Sequence, residues 1–274
     1  MGQVVRLKRI YSLTRHSKKG DKLMKKMLAV LYLCVSTLLQ AETYTNLQLL
    51  YGEFDGDTAV YDTEDAGGKG TLTYESFSVN KVGDIFAFLD YTIADNRMYV
   101  PGPAEGDKTA FYGEIHPRLS LSYVSGEELS FGFIQDVFIA TEVNAGSGAD
   151  YRAIMGGLGV NMDVVGFDSF STNLYYKHEA FEPFDYFSRN TVQLSLAYLS
   201  NFGKSGFSLS GWIDWTEYNF QTQNQFLYRL FNLPEHQSID IGVEHLYYNE
   251  KADISNGETK SHTSVLQAMV KYSW

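Results

Sequence analysis

The chain has 274 residues with 22 basic and 33 acidic side chains, a formal charge of −11, and 15 % aromatic residues. An acidic chain of this kind excludes nucleic acid as a partner, which needs a basic footprint. A single cysteine excludes an intramolecular disulfide.

At the amino end, Leu28 to Leu39 form an apolar run preceded by Lys25 and Lys26 and followed by Gln40-Ala41-Glu42. A spanning helix needs about 20 apolar residues, so this run is too short, and no second apolar segment could serve. Its size and flanks fit a secretory h-region with a cut after Ala41. The basic stretch before it is unusual for a signal peptide, and Met24 and Met27 are alternative starts to Met1. Residues 1–41 are thus expected to be a removed extension and signal peptide, and 42–274 a single domain. Removal takes away nine basic and one acidic side chain and leaves 13 basic and 32 acidic, a formal charge of −19. It also takes Cys34, which the bulky Leu33 makes a poor lipid-attachment site.

From Glu42 onward, segments of about ten residues alternate apolar with polar and are separated by turn residues. They predict twelve strands: 43–51, 71–79, 84–95, 110–124, 128–143, 150–164, 168–182, 188–202, 206–219, 222–232, 237–249 and 263–274. In the fourth, Phe111, Ile115, Leu119, Leu121 and Tyr123 oppose Tyr112, Glu114, His116, Arg118, Ser120 and Ser122. In the eighth, Val192, Leu194, Leu196 and Tyr198 oppose Thr191, Gln193, Ser195 and Ala197. In the ninth, Phe207, Leu209, Ile213 and Trp215 oppose Ser208, Ser210, Trp212 and Asp214. The last strand alternates up to Trp274, with Leu266, Ala268, Val270 and Tyr272 on the face of that terminal ring.

Links after even-numbered strands are short (80–83, 125–127, 165–167, 203–205, 233–236), while 52–70, 96–109 and 250–262 are long and acidic. Outer-membrane barrels have short periplasmic turns and longer external loops. A soluble sandwich gives no reason for long and short links to take turns, and a lipocalin-type barrel needs only eight strands. A short link at 220–221 breaks the trend and leaves the placement of strand ten open. The rhythm predicts an all-β fold: a closed antiparallel transmembrane β-barrel of twelve strands in the outer membrane of a Gram-negative bacterium. The closing strand, ending in Trp274, is the expected contact for the barrel-assembly machinery, and outer-membrane lipid is the expected outer environment.

With the apolar rows facing lipid, the inward rows offer Glu75, Phe77, Phe88, Asp90, Glu114, His116, Arg118, Asn173, Tyr175, Lys177, Trp212 and Asp214 as pore-lining or substrate-binding candidates. Asp240 and Glu244 of the eleventh strand join them. The facing of strands one, five, six and ten stays open, because a one-residue slip turns every side chain to the other face. Charges in a narrow lumen must pair or stay hydrated, so a structural ladder of salt bridges is one reading of these rows. The other is a polar track flanked by aromatic rings, suited to a flat, neutral, hydrogen-bonding solute, since rings stack on bases with little dependence on which base is stacked.

At these residues the chain resembles the nucleoside-specific channel-forming outer-membrane proteins, the Tsx family. The resemblance runs from about strand two to strand nine and is carried best by LTYESF (72–77), YGEIHPRLS (112–120) and ELSFG (128–132). MGGLGVNMD (155–163), NLYYK (173–177) and Ile213-Asp214-Trp215 are weaker matches. Glu114, Pro117, Arg118, Ser130, Phe131, Gly132, Gly157 and Gly159 stand where the family pattern has the same residue types, and His116 stands where it has a second acidic residue. The resemblance implies a twelve-stranded monomeric channel for nucleosides with a narrow pore lined by aromatic and ionisable residues.

Two other classes of function compete. A barrel phospholipase needs a Ser-His pair with an orienting third residue, and His116, His178, His236, His245 and His262 stand in no local catalytic motif. A receptor or structural barrel would use the long acidic loops, especially Glu53 to Lys69, without solute flux. No enzyme activity and no cofactor are expected. No metal site is expected either, since neither cysteine nor a close histidine pair remains.

Overall fold

The computed structural model describes residues 41–54, 67–96, 107–147, 151–181, 187–250 and 262–274. The expected signal segment up to Gln40, and most of the long links at 52–70, 96–109 and 250–262, lie outside these residues. The described chain forms twelve antiparallel strands: β1 (Glu42–Phe54), β2 (Gly67–Asn80), β3 (Gly83–Ala94), β4 (Thr109–Ser120), β5 (Ile134–Gly146), β6 (Arg152–Met162), β7 (Ser169–Phe181), β8 (Phe187–Asn201), β9 (Phe207–Trp215), β10 (Asn219–Asn232), β11 (Ser238–Glu250) and β12 (His262–Ser273). Each strand follows its predecessor around one closed barrel, and β1 meets β12. The seam runs from Asn46 opposite Ser273 to Tyr51 opposite Ala268. Thr45 and Trp274 exchange both backbone hydrogen bonds at 3.2 and 2.9 Å. In hydrocarbon an unpaired backbone group costs several kcal/mol, which closure avoids.

The period-two pattern places apolar side chains outside and polar ones inside, the reverse of a soluble protein. Leu47, Leu49 and Tyr51 of β1 are exposed, while Asn46 and Gln48, which alternate with them, are buried. The same alternation separates Leu174 and Tyr176 from Tyr175 and Lys177 on β7, and Leu266 and Val270 from Gln267 and Met269 on β12. Rings collect at both ends of the outer band, as interface girdles do. Tyr272 and Trp274 stack at 5.3 Å at the end that carries the β1–β12 seam's terminus, and Tyr91 packs on Phe111 at 4.8 Å at the other.

Two connections differ from the sequence expectation. The fourth strand ends at Ser120 rather than 124, and the fifth begins at Ile134 rather than 128, so the expected turn at 125–127 is a connection of residues 121–133. It opens with a short helix, α1 (Leu121–Ser125). Ser120 caps it by accepting from Tyr123 N at 3.1 Å, and Gly126 ends it in the left-handed conformation with φ 72°. The Asp136 carboxylate then accepts from both Ser120 Oγ and Ser122 Oγ at 2.6 Å. The alternation of Leu121 and Tyr123 continues the strand pattern by coincidence, and these local side-chain hydrogen bonds override it. The second difference is at strand ten, which starts at Asn219 rather than 222, after a link of 216–218 rather than 220–221. Thr216 Oγ1 accepts from the backbone of Tyr218 at 3.1 Å and of Asn219 at 2.9 Å, which folds the chain into a tight turn. The short link is therefore genuine, and the strand count is even.

Candidate functional site

The lumen is built from the inward rows, and all twelve sequence-assigned candidates stand on those rows, alternating with exposed apolar neighbours such as Leu89, Ile115, Leu174 and Trp215. Gln48, Glu142, Tyr175, Glu179 and Gln193 each keep about 1 % of their surface exposed. The passage at their level is therefore narrow.

Three polar networks line it. Near the β2–β3 turn, Arg118 donates to Asp84 at 2.8 and 2.6 Å and reaches Asn161 at 2.9 Å and Asn173 at 3.5 Å. Its guanidinium lies 4.5 Å over the Phe138 ring. On the β10–β12–β1 side, Glu244 accepts from Gln223 at 2.5 Å, and from Gln225 and Gln267 at 2.9 Å each. Gln225 passes the chain on to Gln48 at 3.0 Å, Gln48 to Asn46 at 2.7 Å, and Asn46 to Glu75 at 2.7 Å. The third group joins β4 to β5. Glu114 Oε2 is 2.7 Å from His116 Nε2, and His116 Nδ1 is 3.3 Å from Glu142 Oε2. Asn144 donates to Glu142 at 3.0 Å.

A strip of rings runs beside the third group. Phe86 and Phe88 stand 6.0 Å apart, Phe88 and Tyr112 5.9 Å, and Tyr112 and Tyr151 6.3 Å in a stacked arrangement. Tyr112 also donates its hydroxyl to Glu114, and the His116 ring meets Phe86 edge-on at 5.5 Å. Small residues make room for the larger rings: Ala140, Ala153, Met155, Tyr151 and Tyr175 form one buried cluster.

The charges divide into two sets. Arg118 pairs with Asp84, Lys177 and Arg189 with Glu179, Arg229 with Asp240, and Lys271 with Glu75 at 3.6 Å. Among the described residues, Asp90, Glu114, Glu142, Asp214 and Glu244 have no lysine or arginine within ion-pair distance. Asp90 accepts from Thr73 at 2.5 Å and Asp214 from Ser195 at 2.5 Å instead. The middle of the lumen is thus rich in carboxylates that only neutral donors and His116 satisfy.

The structure brings Glu114, His116, Arg118, Asn173 and Phe88 into these networks, whereas Phe77 faces Phe86, and Trp212 stands between Ala197 and Gln223, in the strand register alone. Sequence reading missed Phe86, Tyr112, Glu142, Asn144, Tyr151, Gln48 and Gln225. Phe86 and Tyr112 share parity with Phe88 and Glu114, so the row was readable and the aromatic strip within it was not drawn. Glu142 and Asn144 lie on β5, where inward Phe138 and Ala140 are as apolar as outward Ile139 and Val143, so the pattern left its facing open, and the expected strand stopped at 143, short of Asn144. Tyr151 lies just before the first residue of β6 and belongs to no row.

The family described as nucleoside-specific channel-forming protein, Tsx, matches residues 55–269. Outer membrane protein OmpK of Vibrio parahaemolyticus is 28 % identical over 135 residues, 48 % of this chain and 50 % of that protein, so the match spans about half the length of this curated relative. Among solved structures, the KdgM porin superposes with a TM-score of 0.45 at 12 % identity, covering 84 % of this chain and 99 % of that one. OccK2 (OpdF) of Pseudomonas aeruginosa superposes with a TM-score of 0.30 at 8 % identity, covering 86 % and 98 %.

Proposed function

The chain belongs to the family of nucleoside-specific channel-forming proteins, Tsx, and from that premise we propose that its lumen passes nucleosides or similar flat, neutral solutes across the outer membrane by passive, selective diffusion. The observation that carries this reading is the ring strip Phe86–Phe88–Tyr112–Tyr151 laid beside the hydrogen-bonding row of Glu114, His116, Glu142 and Asn144. Rings bind a base by stacking, at roughly 1–3 kcal/mol each, and carboxylates and amides accept and donate to its edge and to ribose hydroxyls. Binding spread over several weak contacts suits a conduit, because a solute must leave as readily as it enters. Phe77 and Phe88 take the role of stacking surfaces, buried Tyr175 backs the wall, and Glu75, Asp90, Asn173, Lys177, Trp212 and Asp214 form the surrounding polar and aromatic lining. The barrel works as a monomer, and β12 with its terminal Trp274 engages the assembly machinery.

Among the described residues, an enzyme reading finds one serine–histidine contact to stand on. His245 Nε2 lies 3.0 Å from Ser264 Oγ on the outer face. A catalytic pair needs a third group to orient the imidazole. Asn224 stands opposite His245 in the ladder, but its side chain is engaged by Tyr198 and Thr222. The family is one of channels, and the pair is a polar contact on the barrel's surface.

Planar-bilayer recording with adenosine or thymidine tests the proposal. Nucleosides are expected to block the ion current at submillimolar to millimolar levels and to cross in liposome-swelling assays. Pores that nucleosides neither block nor cross would remove the substrate assignment. Phe77→Ala and Tyr175→Ala should weaken block more than they change ion conductance; equal losses would mark disrupted folding instead.

A further inference from the structure

We propose that Glu114, His116 and Glu142 form a binding site for one divalent transition cation inside the lumen, with Asn144 as a fourth donor. One ligand atom from each of the first three residues lies within 4.8 Å of the others. Ligand atoms around a tetrahedral zinc at 2.0–2.2 Å stand about 3.4 Å apart, so side-chain rotation alone closes the set. Glu114 and His116 come from alternate positions of β4, and Glu142 comes from β5 across the ladder.

Asn144 supplies an observation independent of the cluster itself. It is the register partner of Glu114 across β4–β5, it is 4 % exposed, and its amide nitrogen donates to Glu142 Oε1. Its carbonyl oxygen is buried without a hydrogen-bond partner among the described residues. The hydroxyl of Tyr175, a residue 1 % exposed, is likewise buried and unpartnered. Buried polar atoms in native proteins nearly always find partners, and Asn144 Oδ1 is one without, on a residue that pairs with Glu114 in the ladder and whose amide nitrogen meets Glu142, where a cation would supply the missing partner.

The chemistry selects the ion. No lysine or arginine pairs with Glu114 or Glu142 among the described residues, so a dication would give these two carboxylates a countercharge beyond the one imidazole. An imidazole with oxygen donors suits Zn²⁺ and its first-row neighbours better than Mg²⁺ or Ca²⁺, which take oxygen ligands alone. The cation would sit against the ring strip, through Tyr112 on Glu114 and Phe86 on His116, and would narrow the passage there.

The site is tested by calorimetric titration of Zn²⁺ into the purified full barrel in chelator-treated detergent buffer. One saturable equivalent is expected, weakened at least ten-fold by His116→Gln and by Glu142→Gln and unchanged by His178→Gln and His245→Gln on the outer face. No saturable binding, or binding indifferent to His116→Gln, overturns the proposal. Should the lumen variants fail to fold, Co²⁺ added to the unmodified barrel decides. Strong visible bands of a low-symmetry site support it, and the spectrum of the aquated ion overturns it. Zn²⁺ can bind whether or not nucleosides cross, so a failure here and a failure of the transport reading are recorded separately.

Discussion

Arg118 grips Asp84 with two parallel hydrogen bonds, Nε to Oδ1 at 2.8 Å and Nη2 to Oδ2 at 2.6 Å, with only 9 % and 4 % of the two side chains exposed. The fork geometry joins β3 to β4 and, through Asn161 and Asn173, reaches past β5 to β6 and β7. Removing one partner of a buried pair leaves an uncompensated charge, at a cost of about 3–5 kcal/mol. Asp84→Ala should therefore lower the melting temperature of the detergent-solubilised barrel, read as the loss of heat-modifiable gel mobility. Arg118→Met, which removes the other charge and keeps much of the packing on Phe138, should restore part of the loss in the double variant. A double variant that melts below Asp84→Ala would show that the guanidinium's other contacts outweigh the pair.

A second prediction concerns the strip of rings. Phe88→Ala and Tyr112→Ala should each weaken nucleoside block of the current by about 5- to 150-fold, the range that 1–3 kcal/mol of stacking spans. Tyr112→Phe keeps the ring but not the hydrogen bond to Glu114, and should retain most of the block. If Tyr112→Phe is as damaged as Tyr112→Ala, the hydroxyl rather than the ring face is what the solute reads.

The fold was legible because two constraints reinforce each other: side chains alternate every residue, and lipid favours apolar residues on the outward rows of the band. Phe111, Ile115 and Leu119 of β4 could hardly face elsewhere, and they are exposed. The site was legible only where one strand spelled it out, as β4 does with Glu114, His116 and Arg118. Partners that come from another strand are fixed by register, and register depends on where a strand begins. The start of β5 is set by Ser120, Ser122 and Asp136 in a side-chain-locked turn, and nothing in the apolar rhythm announces that. Inward Phe138 and Ala140 are as apolar as outward Ile139 and Val143, so the pattern left the facing of β5 open. Glu142 and Asn144 were lost with it, and with them the donor set around His116.

A third prediction follows from the unpaired carboxylates. Asp90, Glu114, Glu142, Asp214 and Glu244 outnumber the cations available to them, and rings of acidic side chains favour cations in a pore. The reversal potential across a KCl gradient should show preference for K⁺ over Cl⁻. Asp214→Asn and Glu142→Gln should each move it toward zero, while the exposed variant Glu127→Gln should not. An anion-selective wild-type pore would contradict this picture of the lumen.

Closure supplies a fourth prediction. Trp274 exchanges two backbone hydrogen bonds with Thr45 and stacks its ring on Tyr272. Deleting Trp274 removes both bonds at the seam and one interface ring, whereas Trp274→Phe keeps the bonds and an aromatic. The deletion should reduce the amount of folded barrel recovered from outer membranes several-fold more than the substitution does. Equal recovery of the two variants would assign the effect to the indole itself rather than to the seam.

The last prediction separates two adjacent glycines on β6. Gly157 stands on the inward row between Ala140 and Tyr175, and a Cβ built on it would fall 1.9 Å from the backbone oxygen of Leu174. Backbone cannot swing aside as a side chain can, so Gly157→Ala must push β6 away from β7, and with it displace Tyr175 and the Glu142 side of the lumen. Overpacking of this kind costs about 1–3 kcal/mol. Gly156 points outward with nothing within 4 Å of its built Cβ, so Gly156→Ala adds one methyl group to the lipid-facing band. Gly157→Ala should melt earlier and lose nucleoside block together, while Gly156→Ala should match the wild type in both measurements. If both variants match the wild type, the close approach of β6 to β7 is not what shapes this wall.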